Sequence, residues 1–309
     1  MNQFFTSVNI PASPNKIGYA DKILLLGSCF ADNIGEKFNE HYFQTTINPF
    51  GTLYNPASIA QIVSDVQNLS FNNRFIHHAG LWHSFSHHGS FSRPNEQDLL
   101  FVCEESRAHL SKALYEANTV IITFGTAWIY EYEGLVVANC HKMPANQFVR
   151  RCMTADEIVE CWQPILASMP DKHWIFTVSP IRHIKDGLHA NQLSKAILLQ
   201  AIDTISSRFS SLSISYFPSY EIMMDELRDY RFYAQDMVHP SAVAVDYIWQ
   251  RFVDIYMTQG TQNEMRTLHQ FWLDRHHRFL HPESQEALFF AQRIKKRLQD
   301  LQPLYPWIE

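Results

Sequence analysis

Apolar residues fall into two rhythms along this chain. Unbroken runs rich in β-branched, leucine and aromatic residues recur at wide intervals: KILLLG (22 to 27), TVIITFG (119 to 125), HWIFTVSP (173 to 180) and LSISYFPS (212 to 219). Such runs, ending near Gly, Ser or Pro, read as buried strands. Between them the period lengthens. Phe30, Ile34 and Phe38 stand four apart after Ser28, which predicts an amphipathic helix. Asn55 is placed to cap a helix that begins at Pro56 and continues ASIAQIVSDVQ. Residues 189 to 208 and SAVAVDYIWQRFVDIYM (241 to 257) carry further helical patterns. Strands alternating with helices predict an α/β domain with a mostly parallel sheet covered on both faces. Such sheets place ligands outside the carboxyl ends of their strands. The corner at Ser28 and the turns at Gly125 and Pro180 are then expected on one edge.

Two segments break the alternation. Residues 72 to 104, rich in His, Ser, Asn and Gly, read as a loop insertion or small hairpin. From about Thr261 the pattern turns polar and helical, with a break at Pro282. The expected organisation is a main domain over 1–260 and a helical extension over 261–309. In the extension, Leu268, Phe271, Trp272 and Phe279, then Leu288, Ile294, Leu298 and Leu301, stand at near-helical spacings beside Arg275, Lys295, Lys296 and Arg297. An apolar stripe of this kind must be buried. Packing back on the main domain is expected ahead of a partner or dimer contact.

Composition narrows the function. A net charge of −6 without a long basic run disfavours nucleic acid. No apolar stretch is long enough to span a bilayer. The start MNQFFTSVNIPASP lacks a basic segment followed by an apolar one, so no signal peptide and a cytoplasmic address are expected. Five scattered cysteines do not form a disulfide framework. An aromatic share of 14% suits a core and also pockets for apolar or sugar groups. Nothing in the pattern specifies an oligomeric state.

The candidate chemistry lies at the strand–helix corners. Ser28 and Cys29 sit side by side in KILLLGSCFADNIGEKF. That corner fits a nucleophile, an anion site or plain packing. Asp236 and His239 stand three apart in RFYAQDMVHPSA, a spacing that lets the carboxylate orient the imidazole while its other nitrogen takes a proton from a hydroxyl. Ser28 is the natural partner, with helix N–H groups near a developing oxyanion. Cys29 is the rival, since a thiol at a helix amino terminus ionises more easily. Arg182 and His183 follow a strand end on the expected edge. The guanidinium suits a substrate carboxylate, sulfate or phosphate, or else pairs with Asp186. HHAGLWHSFSHHGSF (77 to 91) holds His77, His78, His83, His87 and His88. Only His83 and His87 have a common ligand spacing, and the surrounding Gly and Ser discourage the helix it would need. No metal is expected there. The stretch reads as surface histidines, or as a loop over the pocket with Trp82 or His83 facing substrate.

Several segments together resemble one family. GSCFA (27 to 31), NPFGTLYNP (48 to 56), TFGTAWIY (123 to 130), NCHKMP (139 to 144), SPIRHIKDG (179 to 187) and YFPSYEIMMDELRDYRFYAQDMVHPS (216 to 241) are similar, in order, to the GSCFA family, a branch of the SGNH (GDSL-like) hydrolase fold. The resemblance spans roughly residues 20 to 258. It implies a three-layer α/β/α hydrolase fold with Ser28, His239 and Asp236 as a triad. It also implies that the backbone N–H groups of Ser28 and Gly51 meet the oxyanion and that Cys29 points away from the base. SGNH enzymes usually carry Gly-x-Asn-Asp in the third block, where this chain has Gly125-Thr126-Ala127-Trp128. Thr126 or Asn48 is then the expected substitute donor, because losing one such donor costs about 10²–10³ in rate. Gly125, Arg182, His183, Trp82 and His83 make up the expected substrate side. The implied activity is a cofactor-free serine esterase acting on a small-molecule or carbohydrate ester, acetylated sugars first. The alternatives are an O-acyltransferase using the same triad and a non-catalytic module that binds an anion at Gly27-Ser28.

Overall fold

The computed structural model describes residues 6–68 and 74–309. The first apolar run of the chain gives β1 (Lys22–Gly27), and the short β2 (Gln44–Ile47), whose sequence QTTI is not an apolar run, comes next. A hairpin of β3 (Phe75–His78) and β4 (Leu81–Ser84) follows, then β5 (Thr119–Phe124). An antiparallel sheet is built from β6 (Trp128–Tyr132), β7 (Leu135–Val137) and β8 (Val149–Cys152). The last strands are β9 (His173–Val178) and β10 (Ile214–Phe217). β10, β9, β5, β1 and β2 form, in that order, one all-parallel sheet.

Side chains alternate through this sheet because the strand repeat is two residues. Leu24, Leu26, Val120, Ile122, Trp174 and Phe176 enter one buried cluster, while Ile23, Leu25, Ile121 and Ile175 enter the other. Helices α2 (Pro56–Asn68), α3 (Glu96–Glu116), α4 (Ala155–Ser168) and α5 (Leu188–Arg208) supply the first cluster. On the opposite face lie α1 (Cys29–Glu40) and α7 (Ala242–Tyr256), and a short α6 (Ser219–Glu221) runs into a π-helical turn at Ile222–Glu226. The result is a three-layer α/β/α architecture.

Two elements differ from the sequence reading. Residues 96–104, expected within an insertion, begin the long helix α3. Asn95 Oδ1 caps it by accepting the Asp98 N–H at 2.7 Å, and Leu99, Cys103 and Leu110 bury one stripe. Residues 72 and 73 of that expected insertion lie outside the described residues. The antiparallel sheet β7-β6-β8 was not anticipated. Its hairpin turns at Glu133 and Gly134, with φ of 53° and 78°, a conformation that suits the glycine.

The carboxyl-terminal helices are α8 (Gln259–His276) and α9 (Gln285–Leu301). Met265, Leu268 and Phe271 of α8, with Ile308 beyond α9, belong to the same buried cluster as Phe38 and Trp249. The Trp307 indole N–H donates to the Tyr42 carbonyl at 2.8 Å. α9 is anchored on α8 by Arg297–Asp274 at 2.9 Å. Leu288 of α9 stays exposed. Among the described residues no helix is long and apolar enough to cross a membrane.

Candidate active site

The carboxyl ends of β1, β5 and β9 meet at one edge, fastened by a lysine that the sequence reading passed over. Lys195 is 1% exposed, and its Nζ donates to the Gly125 and Ser179 carbonyls at 2.7 Å each. Burial pushes its pKa down to about 7. Its position was legible, since Lys195 falls on the stripe Asn191, Ser194, Leu198, Ile202 that α5 buries. Gly125 is required by close approach. A β-carbon there would stand 2.9 Å from the Tyr54 carbonyl oxygen and 3.4 Å from both Ser28 Cβ and His183 Nε2. The Gly125 and Thr126 N–H groups both donate to that Tyr54 carbonyl, at 2.8 and 3.0 Å. The 48–55 loop is thereby tied to β5.

A cleft of about 420 Å³ opens above this edge. Cys29, Tyr54 and Asn55 line one side and His239, Arg182 and His183 another. Trp128, Tyr130 and Arg150 form a wall from the unanticipated antiparallel sheet, closed by Ile184, Lys185 and Asp186. The hairpin signal in WIYEYEGLVV was available to sequence reading, but nothing in it says which site the sheet would wall.

Asp236 and His239 meet as their spacing predicted. Asp236 Oδ1 accepts the Val238 and His239 N–H groups at 2.9 and 3.0 Å, and Oδ2 is 2.5 Å from His239 Nδ1. The His239 N–H, then that of Val238, then the imidazole hold the Asp236 carboxyl down to about 2. A carboxylate at Nδ1 fixes the tautomer with the proton there, leaving Nε2 as the acceptor.

The strand–helix corner divides its two candidates. Ser28 is 1% exposed. Its Oγ caps α1 by accepting the Phe30 N–H at 3.4 Å, and neither it nor Cys29 Sγ makes a hydrogen bond with His239, whose ring bonds Asp236. Cys29, the first residue of α1, lines the cleft together with His239. Burial pushes the Cys29 thiol up, helped by the Asp32 carboxylate, while its own N–H, the Lys195 ammonium and the Phe30 N–H act the other way.

Of the expected oxyanion donors, Thr126 lines the cleft, and the others are held by neighbours. The Ser28 N–H donates to the Thr123 carbonyl at 3.2 Å and the Gly51 N–H to the Asn48 carbonyl at 2.7 Å. Gly51 is held at φ 73° with the His88 Cβ 2.3 Å from where its own β-carbon would be, so the glycine answers a steric need. The Asn48 amide accepts the Gly27 N–H at 2.8 Å and donates to Asp32 at 2.6 Å. Thr126 Oγ1 lies 3.0 Å from Ser194 Oγ and accepts the Trp128 N–H at 3.2 Å.

On the expected substrate side, Arg182 and His183 line the cleft. Arg182 also ties the Asp236–His239 loop to the end of β9, through its guanidinium on the Met237 carbonyl and its stacking 4.4 Å over the Tyr233 ring. Asp186 pairs with Arg150 at 2.6 Å, in place of the Arg182 pairing that the sequence suggested. His183 is held neutral, at about 4, by burial and then by Lys195. Trp82 and His83 do not line the cleft. His83 is buried, with Nδ1 2.6 Å from Ser92 Oγ and Nε2 3.0 Å from the His78 carbonyl. His87 lies between Ser84 and Ser106 hydroxyls at 2.8 and 3.0 Å and stacks on Phe50. These rings are core pieces. Among the described residues no group of His, Cys, Asp or Glu converges as a metal site would.

The sequence also matches a known family. The model described as the GSCFA family matches residues 22–252, from β1 into α7. No curated protein matches the sequence.

Proposed function

The chain belongs to the GSCFA family, and from that premise we propose an SGNH-like acyl-ester hydrolase, or an acyltransferase built from the same parts, with the Cys29 thiol as nucleophile. The observation that carries this reading is the shared lining of one cleft by Cys29 and His239, with His239 oriented by Asp236. Ser28, the nucleophile expected from the resemblance, is a buried helix cap and is not part of the cleft lining. A thiol raised by burial stays protonated near neutral pH and needs a base, which His239 Nε2 supplies.

In this scheme Nε2 takes the thiol proton and sulfur bonds to the acyl carbon. The tetrahedral oxyanion collapses, the carbon–oxygen bond to the alcohol breaks, and His239 returns the proton to the leaving alkoxide. The product is a thioester on Cys29. Water, deprotonated by the same imidazole, attacks the thioester. Carbon–sulfur cleavage then releases the carboxylic acid and restores the thiol. A second alcohol in place of water makes the protein a transferase. Trp128, Tyr130 and Tyr54 on the cleft wall suit an acylated sugar, because aromatic faces accept the apolar faces of ring alcohols.

Aryl acetates and acylated sugars assayed on wild type, Cys29→Ala, Ser28→Ala and Asp236→Asn test the reading. Turnover should fall to background in Cys29→Ala and by orders of magnitude in Asp236→Asn. Ser28→Ala should keep most turnover and lose about 0.5–2 kcal/mol of stability as a lost cap. Mass spectrometry should find the acyl group on Cys29. Ser28→Ala inactive and Cys29→Ala active would restore the serine.

A further inference from the structure

Asn55 is 5% exposed and lies on the wall of the cleft beside Cys29 and Tyr54. The sequence reading assigned it one task, capping α2, and it performs that task. Its Oδ1 accepts the Ser58 N–H at 2.8 Å and its backbone carbonyl accepts the Ile59 N–H at 3.3 Å. The bond to Ser58 also settles which way the amide is turned, since an N–H donor must face the oxygen. The other half of the group, the NH2, has no hydrogen-bond partner among the described residues. Pro56 follows directly and stiffens the corner.

Capping alone does not ask for Asn. Asp, Ser or Thr would accept the Ser58 N–H equally well. Only Asn adds a donor pair to a buried position that reaches the cleft. The other expected donors are held by neighbours: the Ser28 N–H donates to Thr123, the Gly51 N–H to Asn48 and the Asn48 NH2 to Asp32, while Thr126, also on the cleft wall, shares its hydroxyl with that of Ser194. The Cys29 N–H, first in α1, has no carbonyl acceptor within its own helix and faces the thiol it serves.

We propose that the Asn55 side-chain amide, together with the Cys29 N–H, holds the carbonyl oxygen of the acyl group as it becomes an oxyanion. It replaces the side-chain donor missing from Gly125-Thr126-Ala127. This inference rests on Cys29 being the attacking group. The donor is fixed before reaction by the Ser58 bond, so it needs no reorganisation when charge develops, the condition under which such donors contribute most.

The test compares two reactions of one thiol. Acylation of Cys29 by p-nitrophenyl acetate builds an oxyanion, whereas alkylation by iodoacetamide displaces iodide and builds none. Both rates are read on the full chain by mass spectrometry, for wild type, Asn55→Asp and Asn55→Ser. Both variants keep an oxygen for the Ser58 N–H, so melting temperatures should stay near wild type. Any change in thiol ionisation enters both rates and cancels in their ratio. The acylation-to-alkylation ratio should fall on the order of 10²–10³-fold in Asn55→Asp and clearly in Asn55→Ser. A wild-type ratio well above that of N-acetylcysteine that persists in both variants overturns the Asn55 assignment alone. A wild-type ratio equal to that of N-acetylcysteine means that no oxyanion site exists, and overturns the acyl-transfer reading with it.

Discussion

The histidines expected on the surface or in a loop over the pocket make a prediction about acid. His87 is 5% exposed, with each ring nitrogen beside a serine hydroxyl. Burial, followed by Arg107 and His141, pushes it down to about 3. The unfolded chain returns it to about 6.5. Between those two values the unfolded state binds more protons, so stability is fully present above about pH 6.5 and is lost as pH falls toward 3. At pH 5 an unfolded imidazole is protonated about thirty to one while His87 stays neutral, which removes about 2 kcal/mol. His41, His141, His173 and His183 are each pushed down to about 4, first by burial. Their losses at pH 5 are of similar size, smaller for the half-buried His41 and His183. Acid is therefore expected to destabilise the fold progressively below about pH 6.5. The assay is urea unfolding of wild type and His87→Gln at pH 7.5 and pH 5. Gln keeps polar contact with Ser84 and Ser106 but cannot titrate. Wild type should lose about 2 kcal/mol more than the variant between the two pH values. Equal losses would refute the claim that His87 is buried neutral, and with it the structural reading of this block.

Two further perturbations separate fold from site. Lys195→Met removes the ammonium between the Gly125 and Ser179 carbonyls and leaves two buried acceptors unsatisfied, at about 1–3 kcal/mol each; chemical denaturation should show that loss, and a variant as stable as wild type would mean that the tether is dispensable. Truncation after Gly260 removes Met265, Leu268, Phe271 and Ile308 from a shared core. At about 1.5–3 kcal/mol for each large apolar side chain, the shortened chain should be insoluble or melt far below the full one, and a stable, active truncation would contradict that packing.

Four strands of the parallel sheet were legible in the sequence as apolar runs and their helices as three-to-four-residue stripes, while the edge strand β2, QTTI, carries no such run. The sequence also determined the Asp236–His239 unit, because a three-residue spacing is closed by local turn chemistry that needs no distant partner. The edge bearing Ser28, Cys29, Gly125 and the turn after β9 followed from parallel connectivity. Three matters needed tertiary structure. Whether Ser28 or Cys29 meets the cleft depends on which residue caps α1, a difference of one position that no apolar pattern encodes. Asn48 and Thr126 are held by side chains from other segments, Asp32 and Ser194, the Gly51 N–H closes a turn on Asn48, and a sequence does not list a donor's competitors. Asn55 caps α2 as its position before Pro56 predicts, but an amide has two ends. The free one is recognised only when the fold sets β5, the antiparallel sheet and the Asp236–His239 loop around it.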